Sequence, residues 1–213
     1  MRGIKKVLVA ITAVGLASTV AACSSSGSSS DKKPIATVKD LSGGVSTSVA
    51  LDANFVKALT SLKLAPGLVG KATMPTAGTV TFPITGGNVT VYKKGKVTPY
   101  VQGTIRHDGS GLSLKGGNTT VTLENFVIDP GNNSKLTGDV LANGKSVVKG
   151  ATLFDLDGST LQPITVSGNI ATLTGTRVLV SKDAAALLDK TFNTTAVTGG
   201  LLVGVATLKV KVA

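Results

Sequence analysis

His107 is the only histidine in the chain and Glu124 the only glutamate, which sets a low ceiling on the chemistry available. A Ser-His-Asp relay would have to use His107, yet no Gly-x-Ser-x-Gly nucleophile elbow occurs. A metal site with several histidines cannot be built. Nor can a glutamate pair for general acid and base work. Asp155-Leu156-Asp157-Gly158 sets two carboxylates on one face of an extended strand, ahead of a turn glycine. The third oxygen residue and distal glutamate of an EF-hand loop are missing, so the segment reads as a polar strand end. Tyr92 and Tyr100 flank the basic run Lys93-Lys94-Gly95-Lys96 and would face each other across a hairpin. The candidate ligand contacts are therefore His107, Tyr92 and Tyr100, with no catalytic constellation and no metal set.

Cys23, the only cysteine, excludes a disulfide within the chain. Before it, Arg2, Lys5 and Lys6 precede an uncharged stretch from Val7 to Ala22, the layout of a secretory signal. The stretch is shorter than the roughly 20 apolar residues that span a bilayer, and Thr12, Gly15, Ser18 and Thr19 dilute it. Val20-Ala21-Ala22-Cys23 resembles the bacterial lipobox. That resemblance implies transfer of diacylglycerol to the Cys23 sulfur, cleavage before Cys23 and further acylation, for instance with palmitate. Only a thiol forms the required thioether. Residues 24–30 are serine and glycine alone, a composition that gives a flexible tether. The expected organisation is a signal peptide over 1–22, a lipidated tether over 23–39 and a single domain over 40–213. The expected location is the outer face of the cytoplasmic membrane or the cell envelope.

Removing Arg2, Lys5 and Lys6 with the leader lowers the formal net charge from +11 to +8. The positives are mostly scattered lysines, and aromatic residues make up only 3%, too few for base stacking. Nucleic acid is therefore not an expected partner. The lysine run suits a solvated turn, or a contact with anionic headgroups or acidic wall polymers.

Abundant Gly, Thr and Val indicate strands and tight turns. Val45 to Leu51 opens the pattern. Asp52 caps a helix with Phe55, Leu59 and Leu62 on one face, and Pro66-Gly67 stops it. Period-two alternation follows at Val80, Phe82 and Ile84. Strands are expected over 97–107, 111–115, 119–128, 135–141, 146–156, 164–166 and 170–180. Turns at Asp108-Gly109, Gly116-Gly117-Asn118, Asp129-Pro130, Asn143-Gly144 and Asp157-Gly158 separate them. Asn143-Gly144 is the clearest, since both residues tolerate positive φ. Ser181 caps a second helix over 182–192, and a last strand covers 201–212. Residues 67–74 echo 200–208, which suggests two helix-plus-strand units flanking an open edge. The fold class expected is mainly β, an antiparallel β-sandwich or flattened barrel with two short flanking helices.

Gly103-Thr104-Ile105-Arg106-His107-Asp108-Gly109, alternating Leu112 and Leu114, and Val121-Thr122-Leu123-Glu124-Asn125-Phe126-Val127-Ile128 together resemble the central stretch of actinobacterial haem-acquisition surface domains. The resemblance covers about 30 residues and implies a β-rich envelope domain that ligates haem through a tyrosine with a nearby histidine. Here that would mean Tyr92 or Tyr100 with His107. The tryptophan-containing motif that carries the tyrosine in that family has no counterpart.

The leading expectation is a lipid-anchored, non-catalytic binding module whose partner is an envelope protein or a wall polymer. Its alternatives are a carrier of an apolar or haem-like ligand, for which haem is the one cofactor considered, and an envelope hydrolase. Cys23→Ala tests the anchor: the chain should leave the detergent phase or remain uncleaved. A processed product that still partitions into detergent would exclude lipidation.

Overall fold

The computed structural model describes residues 32–212. Cys23, Val20, Ala21 and Ala22 lie outside the described residues. Thirteen strands and two helices follow one another in the described part. The first third of the domain contains β1 (Ala36–Val38), β2 (Ser46–Leu51), α1 (Ala53–Ser61), β3 (Ala65–Gly70), β4 (Thr73–Thr76), β5 (Thr79–Pro83) and β6 (Gly86–Val91). The long strands come next: β7 (Val101–Gly116), β8 (Thr119–Asp129), β9 (Lys135–Ala142) and β10 (Lys145–Asp157). The chain closes with β11 (Thr165–Ser167), β12 (Ile170–Val180), α2 (Lys182–Phe192) and β13 (Leu202–Lys211).

All the strands belong to one antiparallel sheet of order β1-β6-β7-β8-β9-β10-β12-β13-β2-β5-β4, with β3 added beside β7 and β11 beside β12. The sheet curls into a half-barrel, the flattened-barrel form of the expected fold class. Its concave face carries the core, with Val121, Phe126, Val140 and Leu153 almost wholly buried.

Sheets curl where strands bulge, because the extra residue bends the strand and increases its twist. Three bulges lie side by side here. Register shifts occur on β7 between His107 and Gly111, on β8 between Glu124 and Val127, and on β10 between Val148 and Ala151. Side chains join them. The Gly109 N–H donates to Asn125 Oδ1 at 2.9 Å, and Asn125 Nδ2 donates to Asp139 Oδ2 at 3.1 Å. Asp139 Oδ1 accepts from the Gly150 N–H at 3.0 Å. Amides released from the ladder by the bulges thus find partners on the next strand.

This corrects one sequence expectation. Asp108-Gly109 is not a hairpin turn; Gly109, at φ +72°, sits within the single strand β7. A turn and a bulge make the same demand for positive φ, and sequence alone does not separate them. Pro66-Gly67 lies inside β3, pairing with Leu114 and Ser113, so it does not end the helix. Residues 36–38, read as tether, pair with Val91 to Val89. The echoing segments are not equivalent either: β3 is an addition to β7, whereas β13 lies in mid-sheet between β12 and β2.

Both helices fall where expected. Asp52 Oδ1 accepts from the N–H groups of Asn54 and Phe55, and Ser181 Oγ accepts from that of Ala184. The helices follow β2 and β12 at the same end of the half-barrel, where Leu51 and Val180 lie. Neither α1 nor α2 lies at the other end. Registers bring residues 92–100, the 130–134 turn, β11 and the last residues of β13 together there.

Asn125 holds φ at +56° and joins Gly109 to Asp139 in the bulge relay. Asn125→Gly keeps the backbone comfortable but removes the relay, so it should cost about 1–3 kcal/mol in urea unfolding. An unchanged midpoint would show that the relay does not hold the curl.

Candidate functional site

The curl leaves an apolar chamber of about 260 Å³ along the concave face. Inward residues of β2 (Thr47, Val49, Leu51) face those of β7 and β8 (Ile105, His107, Phe126, Ile128) across it. Among the described residues no Asp, Glu, Lys or Arg lines this chamber, and its polar side chains are Thr47, His107, Thr172 and Thr176. A second cavity of about 160 Å³ lies beneath the helices. Leu51, Val80, Leu112, Phe154 and Val203 border both spaces and form the partition between them.

His107 is the one titratable group in the chamber wall, and it is 1% exposed. Its Nδ1 lies 3.3 Å from the Phe126 carbonyl and its Nε2 2.8 Å from Thr47 Oγ1. A carbonyl only accepts, so Nδ1 carries the proton and Nε2 accepts from the Thr47 hydroxyl. Phe82 meets the imidazole edge-on at 6.4 Å between ring centroids and meets Phe126 at 5.4 Å. Burial holds His107 at a pKa of about 4, against weaker upward effects from the Phe126 carbonyl and Asp108. The imidazole is therefore neutral at physiological pH and clamped across the sheet, with its one N–H and its one acceptor nitrogen both engaged.

The structure places the other sequence candidates apart from it. Tyr92 and Tyr100 do face each other, with the Tyr92 N–H donating to the Tyr100 carbonyl at 2.7 Å. Lys94 Nζ lies 6.0 Å from the Tyr100 ring centroid. Neither tyrosine is among the residues lining the chamber with His107. Asp157 accepts from the Ser159 N–H at 2.8 Å and hydroxyl at 2.9 Å, which chiefly hold its carboxyl below the usual range, and also from Arg177 at 2.9 Å. No group of three or more metal-ligating side chains occurs among the described residues. No described helix is long and apolar enough to cross a membrane.

Thr47, Phe82 and Phe126, which clamp His107, were not singled out in the sequence. Thr47 had a weak signal: it shares a strand face with Val49 and Leu51, so its hydroxyl had to be buried and partnered.

No protein-family model matches the chain, and no curated protein does. Among solved structures it is similar to the C-terminal domain of HtaA from Corynebacterium glutamicum. That likeness has a TM-score of 0.52 at 16% identity, covering 79% of this chain and 98% of that one. The heme binding protein HtaB from the same organism aligns at a TM-score of 0.49 and 11% identity, over 83% of this chain and 96% of that one. At 16% identity the likeness to the HtaA domain shows a shared fold.

The buried histidine makes stability depend on pH. Its folded pKa of about 4 lies below the unfolded value near 6.5, so the unfolded chain binds the extra proton between them. Stability should therefore fall as pH drops from 6.5 to 4, by up to about 3 kcal/mol. In the double variant Thr47→Val with His107→Phe, which removes the imidazole together with the hydroxyl that donates to it, that slope should vanish. Persistence of the slope would assign it to other groups.

Proposed function

We propose that the domain is a non-catalytic binding module that takes a small apolar ligand into the half-barrel chamber. The observation that carries this reading is the chamber wall, built from thirteen-strand curvature without one ionisable group other than a neutral, fully engaged histidine. Ligand pockets are typically concave and mostly apolar with a few convergent polar groups. A surface module recognising wall polymer or protein through its loops does not need such an interior, so the carrier reading takes first place over it. A hydrolase would need an activated nucleophile or an acid–base pair, which His107 cannot supply while both its nitrogens are engaged. The lipobox resemblance adds the setting: lipidation at Cys23 would hold the module at the envelope side of a membrane.

Haem is the second reading, supported by the fold shared with the HtaA domain and by the sequence resemblance around His107. The residues present do not complete the tyrosine–histidine pair that the resemblance implies, because Tyr92 and Tyr100 are not in the chamber wall. A chamber without cations would also leave haem carboxylates to remain at its mouth.

Native mass spectrometry of the chain from residue 24 onward, after exposure to a lipid extract and separately to haem, separates the readings. A bound apolar molecule is expected, and Ala206→Trp, which fills the chamber from β13, should weaken capture by about tenfold or more. Haem retained with an absorption band that shifts in His107→Ala would move haem to first place. A clean apo mass in both exposures would overturn the carrier function.

A further inference from the structure

The half-barrel has two unlike ends. Helices and the 193–201 link close one; the chamber reaches the other, where Ala36, Pro130, Ile164, Val166 and Val212 line it. Aliphatic side chains are exposed around this mouth: Ile35 is 68% exposed, Val166 62% and Ile164 48%. Scattered exposed aliphatics are ordinary, but these three stand at the rim of one apolar chamber.

The same end carries basic charge. Lys93, Lys94 and Lys96 are exposed on the link between β6 and β7, next to the mouth residues Val91 and Val101. Lys209 and Lys211 point away from the chamber on β13, alternating with the chamber residues Leu208, Val210 and Val212. Their cross-strand neighbours, Ser46, Thr172 and Ile170, carry no charge. Acids sit at this end as well: among the described residues Asp157 pairs with Arg177, and Asp129 and Asp155 lie on either side of Lys135 in register. The chain before Ile35 also arrives here, because β1 begins at Ala36 opposite Val91.

We propose that this open end is a docking face for an anionic lipid bilayer, with the aliphatic rim entering the headgroup boundary and the lysines contacting lipid phosphates. The inference rests on the chamber reading for its purpose: the ligand then passes between bilayer and chamber without crossing water. It rests on geometry for its existence. Exposed aliphatic residues ringed by lysines match the interfacial region of a membrane, where apolar burial and attraction to anionic lipid act together. Each lysine near such a surface contributes about a fivefold gain in partition. Long lysine stems let the ammonium reach the phosphate level while the strand stays above it.

The full chain, reconstituted in vesicles through its own N-terminal segment, tests this. Cys23 is retained, since its sulfur is unreactive once it is a lipid thioether, and a fluorophore is attached at Ser167→Cys, beside the rim, or at Lys145→Cys, at the helix-covered end. Quenching by doxyl-labelled phospholipid is compared in phosphatidylcholine vesicles with and without phosphatidylglycerol. The Ser167 label should lose most of its fluorescence only when phosphatidylglycerol is present, while the Lys145 label should not. Reversal of Lys93, Lys94 and Lys211 to glutamate should abolish that loss. Equal quenching at both ends, or quenching at the rim indifferent to lipid charge and to the reversal, would overturn the proposal. So would a rim label protected by soluble poly(glycerol phosphate) but unquenched by vesicles, which would assign the face to a wall polymer. The chamber reading fails separately: a clean apo mass with rim quenching intact removes the ligand and leaves the docking face.

Discussion

The curl of the sheet is the constraint on which everything else depends, and the Gly109–Asn125–Asp139–Gly150 relay secures it. A bulge by itself leaves amides without ladder partners, and a row of them would weaken the sheet at its centre. Here the side chains of Asn125 and Asp139 replace the missing ladder bonds. The bend therefore becomes a specified feature rather than a place where register can slip. His107 stands at the start of the first bulge and Phe126 within the second, so the relay also sets the spacing that lets Thr47 and the Phe126 carbonyl clamp the imidazole.

Each bulge reverses the in-out alternation of its strand. On β8, Val121 and Leu123 point inward, and after Glu124-Asn125 it is Phe126 and Ile128 that do so. On β7 the same reversal follows Asp108-Gly109. These phase changes explain what was legible in the sequence and what was not. The helices could be placed because their caps, Asp52 and Ser181, act on amides within three residues. The Asn143-Gly144 hairpin was legible for the same local reason, with both residues at positive φ. Strand existence followed from alternation, with β8, β9, β10 and β12 close to their expected limits. The bulges were not legible, because a break in alternation beside a glycine reads equally well as a turn. The chamber was less so, since it arises from residues on strands distant in sequence that only the curl brings face to face.

The candidate contacts divide along the same line. His107 was conspicuous as the sole histidine, but its partners are 60 and 19 residues away, and nothing in its neighbourhood announces them. Reading it as a hairpin-end residue followed from taking Asp108-Gly109 as a turn. Once that segment is a bulge inside β7, His107 moves from a solvated strand end to the buried concave face, and its pKa moves with it. Tyr92 and Tyr100 were located correctly relative to each other because a short hairpin fixes that pairing locally. Their distance from the chamber wall depends on how far β6 and β7 run before the curl begins, which is a property of the whole sheet.

An interior of this kind is energetically conspicuous. Unfilled apolar space weakens a packed core, because the atoms lining it lose contact partners, and the chamber of about 260 Å³ leaves such a gap along the concave face. Larger side chains at Ala171, Ala206 or Thr176 would fill the space with no polar group displaced except one hydroxyl. The chain instead spends bulges, a side-chain relay and a long run of small and branched residues on keeping it. A void that large is tolerable where it is occupied for most of the protein's life, because a ligand that binds only the folded chain adds its binding free energy to stability. On the proposed reading, the volume, the uncharged wall and the open end bordered by lysines are parts of one physical arrangement, in which an apolar ligand would complete the core.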